Sequence, residues 1–480
     1  MKSDFHLMVP GADGGPTAIE VKSPFSGERI GSVQAAGEAA VEQALTNARR
    51  VFDDPDTHLP AWERIEILRA TAAALEANAE EMALGAAAEG GKPLRDSRVE
   101  VSRAVDGIHS CIDVLRTQAG EEIPMGLNPA SANRLAFTSH EPVGPVLAFS
   151  AFNHPVNLIV HQIMPAVATG CPFIVKPAAS TPLSCFRLVQ MLHEAGWPKE
   201  WGQPLAIKDH DLSNKAVADD RIAFFTFIGG PSVGWRLKAR LAPGVGCALE
   251  HGGAAPVIVS EDADLDAAIP RLAKAAFYHA GQVCVSAQRI YVHESRFQEF
   301  SQKLAEAANG LKVGDPSSPE TDVGPLISPS ETKRIGQWVQ HAVETGGRIL
   351  CGGQVHPQYP EACYQPTVLV NPADDAEVSE QEIFGPVVCL YGYTDLDEAI
   401  RRANAVPFSF QAAVFAKSIN TIMHCYRHLK AENVMANEHP AFRVDWMPFG
   451  GGEHSGYGTG GIPYTMADMQ HKKMLVLRSS

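Results

Sequence analysis

Hydrophobic positions in the first third of the chain recur at three- and four-residue spacing. Glu38 to Phe52 and Trp62 to Glu89 both carry this pattern among Ala, Glu and Arg, which predicts helices with one buried stripe. Gly90-Gly91-Lys92-Pro93 interrupts it, and a further helix is expected to about Leu115. Glu121 to Glu141 is polar and loosely alternating, as a strand pair projecting from a domain body would be. From Val143 the texture changes to short apolar runs separated by helical stretches. Val146 to Ser150, Phe173 to Lys176, Leu205 to Ile207 and Ile222 to Phe227 read as strands, with helices through Ile159 and from Leu183 to Ala195. A second alternation follows: a strand at Pro256 to Val259, a helix from Leu265 to Tyr278, a strand at Arg289 to Val292, and further units to about Asn437. Continuous apolar strands between helices predict parallel sheets covered on both faces, with ligands at the carboxyl ends of the strands. The tail Lys472 to Leu477 reads as one exposed strand.

The 480 residues allow two or three domains. Net charge is -15 with no long Lys/Arg run, which argues against nucleic acid or an anionic membrane surface as the main partner. No run of about 18 apolar residues occurs, and the polar, Gly-rich start does not read as a secretory signal. The nine cysteines are scattered, with no Cys-x-x-Cys pair and no His/Cys cluster at zinc spacing, so no metal is expected and a reducing cytoplasm fits.

Two motifs compete for attention. Gly230-Pro231-Ser232-Val233-Gly234 spells a nucleophile elbow, with His251-Gly252-Gly253 as a would-be oxyanion loop. That makes a serine hydrolase using Ser232 one alternative, although in hydrolases the loop precedes the serine. The plainer reading is a Gly-rich turn at a helix N-terminus. Gly456-x-Gly458-x-x-Gly461 spells a dinucleotide fingerprint, but no strand is expected before it and Pro463 follows, so a flexible loop is expected.

Gly281-Gln282-Val283-Cys284 places a cysteine between a helix and a strand. Alone it would be read as a packed core thiol; its company changes that. Phe152-Asn153-His154-Pro155, Lys176-Pro177-Ala178 with Thr181-Pro182, Phe227-Ile228-Gly229-Gly230, Leu249-Glu250-His251-Gly252-Gly253, Glu382-Ile383-Phe384-Gly385-Pro386 and Pro448-Phe449-Gly450-Gly451 follow in order. Together with the cysteine they resemble the boxes of the aldehyde dehydrogenase superfamily, nearest to its lactaldehyde- and phosphonoacetaldehyde-type branch.

The resemblance implies an α/β fold with a Rossmann-like parallel-sheet cofactor domain (1–120 and 142–252), an α/β catalytic domain (253–460) and a small β oligomerisation arm (121–141 and 461–480). It implies NAD or NADP as cofactor, a small-molecule aldehyde as substrate and a homodimer or homotetramer. Cys284 would be the nucleophile, since an aldehyde carbon suits a thiolate. The Asn153 amide and the Cys284 N–H would hold the oxyanion, and Glu250 would activate the hydrolytic water. Lys176 would bind the adenosine ribose, Gly229, Gly230 and Gly234 the pyrophosphate, and Glu382 and Phe384 the nicotinamide end. A non-catalytic descendant is a further alternative, although such a chain would normally have lost Cys284 or Glu250.

Departures from the pattern bear on specificity. Phe152 replaces the usual Trp. Ile228 and Gly230 replace the Thr and Ser of the pyrophosphate turn, which removes hydroxyls and keeps the backbone. Ala179 stands where NAD-preferring members place a Glu, so NADP becomes usable, with Ser180 able to help. His154, Arg103 and Arg443 are candidate contacts for a small polar aldehyde, against the plainer readings of a packed histidine and two surface arginines. Members handling anionic aldehydes carry Arg before the nucleophile; Val283 there argues against a strongly anionic substrate.

Overall fold

The computed structural model describes residues 4–15 and 17–479. The apolar runs build a six-stranded sheet in the order Gly456–Tyr457, Gly246–Glu250, Phe224–Ile228, Val146–Phe149, Phe173–Lys176 and Gly202–Pro204. All are parallel except Gly456–Tyr457. Phe149 pairs with both Lys176 and Phe227, and Glu250 with Ile228. Four strands therefore end level, and the boxes at 150–154, 177–180, 228–230 and 250–253 emerge along one edge.

Helices cover both faces, as continuous apolar strands require. Ala61–Ala77, Leu94–Thr117, Asn157–Thr169 and Pro182–Glu194 pack on one side, and Glu38–Asp53 and His210–Val217 on the other. Every residue of Asn157–Thr169 is buried, and Gly170, at φ 84°, ends it in the left-handed conformation that favours glycine.

The second sheet runs Arg348–Cys351, Thr367–Val370, Val387–Tyr393, Ala287–His293, Ala255–Val259, Gln411–Phe415 and Asn433–Ala436, parallel except for the first. It presents the opposite ends of its strands to the same place. Gly253 precedes Ala255–Val259, Cys284 precedes Ala287–His293 and Phe384 precedes Val387–Tyr393. The carboxyl ends of one sheet thus meet the amino ends of the other.

Several expectations are corrected. The third strand is Gly202–Pro204, and Ala206 only bridges to Ala35. The long helix from Trp62 breaks at Asn78 into Ala61–Ala77 and Ala79–Gly90. The helix after the first strand is Asn157–Thr169, largely beyond Ile159. Gly456 is not in a free loop: it is buried and pairs with Glu250. A small sheet of Asp4–Phe5, Arg29–Gln34 and Ala18–Lys22 precedes the first helix. Arg134–Pro142 pairs along its length with Gln470–Arg478 and briefly with Glu122–Ile123. The segment 461–469, expected with this arm, instead forms the helix Ile462–Asp468, with Ile462, Met466 and Met469 in the core of the first sheet. Among the described residues no helix is long and apolar enough to cross a membrane.

Candidate active site

Where the two sheets meet lies a cavity of about 510 Å³. Cys284, Glu250 and Asn153 all line it, as do Phe152, Ile228, Gly229, Gly230, Glu382 and Phe384, and Arg103, His154, Tyr278 and Arg443. Residues far apart in the chain are brought together because each lies at or beside a strand end.

Cys284 follows the 3-10 turn Tyr278–Gly281, whose His279 and Ala280 have φ of 49° and 54°. Gln282 fastens this turn: its side-chain N–H donates to the His279 and Pro325 carbonyls, and its oxygen accepts from the Ile327 N–H. The Asn153 amide donates to the Gln282 carbonyl at 2.9 Å. That contact uses one of the two amide protons and fixes the direction of the other. Asn153 in turn precedes a helix whose first N–H groups, of Val156 and Asn157, bind Glu100 at 2.8 and 3.0 Å. The other Glu100 oxygen takes Lys92 at 2.5 Å, and both side chains are fully buried.

Burial pushes the Cys284 thiol up, the nearby Glu250 carboxylate pushes it further, and Arg443 opposes both. Burial likewise raises the Glu250 carboxyl, with Arg443 and Arg103 pulling it back. A base raised in this way sits closer to neutral pH, where it works best. The Glu382 carboxyl is pushed up to about 8 by burial, eased by the Gly253 N–H that donates to it at 3.1 Å. A Cβ on Gly252 would lie 1.9 Å from either Glu382 oxygen, so glycine is required for this approach. Phe384, at φ 48°, sets its ring edge-on to Phe152, centroids 5.7 Å apart.

The expected cofactor residues are only partly gathered. Ala178 lines the cavity, but Lys176 does not: its ammonium lies over the Phe149 ring at 5.2 Å. Ala179 is exposed and Ser180 half-buried just beyond the strand end. The glycine turn offers fewer free donors than expected. The Gly229 N–H goes to the Glu250 carbonyl and the Gly234 N–H to the Gly230 carbonyl. Gly234 instead allows close packing, since a Cβ there would meet the His251 ring at 1.9 Å. Gly230, at the start of the helix Pro231–Lys238, is exposed with open space around it.

Neither arginine is a surface charge. Arg103 grips Asp445 with two hydrogen bonds, 2.7 and 3.1 Å. Arg443 is stacked 3.5 Å from the centre of the Phe449 ring, and its nearest carboxylate is Glu250 at 3.9 Å. His154 meets the Tyr278 hydroxyl at 3.1 Å, and burial keeps its imidazole neutral. Tyr278, His161 and Asp445 were not assigned from the sequence; Asp445 lies two positions from Arg443, but its partners are 284 to 342 positions away. Ser232 is exposed on its helix, and the His251 ring is bonded to the His454 carbonyl.

Residues 11–475 match the model of the aldehyde dehydrogenase family. The chain belongs to the aldehyde dehydrogenase family. A 3-sulfolactaldehyde dehydrogenase from Priestia megaterium is 36% identical over 461 residues, covering 96% of this chain and 94% of the relative. A lactaldehyde dehydrogenase from Methanocaldococcus jannaschii is 33% identical, covering 96% and 97%. Among solved structures, aldehyde dehydrogenase 21 from Physcomitrella patens in complex with its product succinate superposes with a TM-score of 0.94 at 34% identity, over 100% and 99% of the two chains. The Methanocaldococcus jannaschii glyceraldehyde-3-phosphate dehydrogenase complexed with NADP gives 0.90 at 32%, over 96% and 99%. Both likenesses cover nearly the whole of this chain.

Proposed function

We propose that the protein oxidises a small polar aldehyde to its carboxylic acid with NAD or NADP, through a thioester on Cys284. The observation that carries this reading is the convergence of Cys284, Asn153 and Glu250 on one cavity. The Cys284 thiolate adds to the aldehyde carbon, and the Asn153 amide and Cys284 N–H donate to the oxygen that becomes negative. Bound NAD or NADP supplies the hydride acceptor. Glu250 then takes a proton from water, which attacks the thioester carbonyl and releases the acid and the thiolate.

The chain's own residues fit the cofactor. Gly230 gives open backbone at a helix start, Glu382 has one oxygen without a partner among the described residues, and Phe384 walls the same part of the cavity. Lys176 ends its strand, Ala179 and Ser180 come shortly after it, and we assign all three to the adenosine ribose. We assign 1–120 and 142–252 to cofactor binding and 253–460 to catalysis. The paired strands Arg134–Pro142 and Gln470–Arg478 are assigned to subunit association in a cytoplasmic homo-oligomer. Met474, Leu475, Val476 and Leu477 are all exposed there, and apolar strand edges favour pairing with another chain.

His154, Arg443 and Arg103 line the cavity, and we assign them to the substrate. Their polarity, and relatives named for lactaldehyde and sulfolactaldehyde, support a polar aldehyde. The test is Cys284→Ala: NAD(P)H formation from a panel of aldehydes should vanish while fluorescence titration still shows cofactor binding. A variant retaining more than a few per cent of the rate sinks the proposal.

A further inference from the structure

Arg103 and Arg443 line the cavity and Lys92 is buried behind it, and the surroundings of the three cations differ. Lys92 is paired with Glu100. Arg103 is paired with Asp445 through two hydrogen bonds. Arg443 has no carboxylate closer than 3.9 Å, and its Nε is buried without a partner. Asp445 is itself buried and also receives the Asn157 amide at 3.1 Å and His161 Nε2 at 2.7 Å. A carboxylate accepts only, so His161 carries its proton on Nε2 and leaves the Nδ1 lone pair free. Arg443 Nη2 lies 3.4 Å from that Nδ1, and arginine donates only, so the contact runs from Arg443 to His161. Beneath the guanidinium lies Phe449, in the same apolar cluster as Cys284. The three-residue chain from Asp445 through His161 thus ends on Arg443, whose nearest carboxylate is Glu250 at 3.9 Å.

We propose that Asp445 and His161 are positioning residues for Arg443. The carboxylate withdraws Arg103 and fixes the His161 tautomer, and the imidazole holds the Arg443 guanidinium over Phe449, facing Glu250 and Cys284. In that position Arg443 favours the thiolate over the thiol. The inference rests on the reading of Cys284 as nucleophile, and the experiment separates the two.

The rate of Cys284 alkylation by iodoacetamide, a neutral probe, is followed by peptide mass spectrometry on the full-length protein at one fixed neutral pH. A wild-type Cys284 no more reactive than the buried cysteines would overturn the nucleophile reading itself. With a reactive wild type, His161→Leu and Asp445→Asn should each slow alkylation about tenfold, the lower end for losing a hydrogen bond to a charged group. The same His161→Leu change made in an Arg443→Met background should alter the rate by less than about twofold, because the group it positions is gone. The positioning role is refuted if His161→Leu leaves the rate at wild type, or if its effect survives undiminished without Arg443. His161→Leu is close in size and removes no charge, so this cycle decides the matter even where Asp445→Asn does not fold.

Discussion

Replacing Glu100 by Gln tests how the loop carrying Asn153 is anchored. The side chain sits at a helix start, where one oxygen receives the Val156 and Asn157 N–H groups and the other receives Lys92. Glutamine keeps an acceptor for the backbone but removes the counter-charge, leaving a fully buried ammonium alone. Breaking a buried pair in this way costs about 3–5 kcal/mol. A ceiling comes from Lys92 itself, which escapes by losing its proton. From a reference pKa near 10.4, that costs roughly 4.6 kcal/mol at pH 7 and about 1.4 kcal/mol less for each unit of higher pH. An unpaired Lys92 binds its proton less tightly folded than unfolded, so the deficit shrinks as pH rises towards the unfolded value. Denaturant unfolding at pH 7 and pH 9 should therefore show a large deficit at pH 7 and a clearly smaller one at pH 9. Adding Lys92→Met should recover most of it, because the pair then has no orphaned charge. A loss below ~1 kcal/mol at pH 7, or an equal loss at both pH values, would refute the account of this pair.

Glu250→Gln should give a first burst of NAD(P)H, because hydride transfer precedes hydrolysis, followed by stalled turnover; stopped-flow absorbance reads both phases, and a normal steady-state rate would assign the base elsewhere. In the wild type, turnover limited by thioester hydrolysis should fall as pH drops through the raised pKa of Glu250, which must be ionised to act. Ala179→Glu should raise the ratio of kcat/KM for NAD over NADP, mainly by weakening NADP. The expected change is about tenfold, ~1.4 kcal/mol; an unchanged ratio would show that this exposed position does not read the ribose.

What was legible in the chain and what was not divides along a physical line. The boxes around Asn153, Glu250, Cys284 and Glu382 are short because each is a strand end and the turn beside it. The level register of the first sheet then delivers them to one cavity. Strands buried on both faces announce themselves as apolar runs. Gly246–Glu250 does not, being half-exposed over most of its length, so no strand was expected there and Glu250 was found only through its box. The break at Asn78 leaves the apolar spacing intact on both sides and changes only the backbone dihedrals. The glycine turn showed where a helix begins but not which of its N–H groups the fold had already used. The buried network behind Arg443 was hidden most deeply. Arg103, His161 and Asp445 belong to a long helix, a buried helix and a C-terminal loop, and nothing near any one of them reveals the other two. Charge shows why they must meet. Arg103 and Asp445 would each be costly in so buried a setting without a partner, and only the folded chain supplies it.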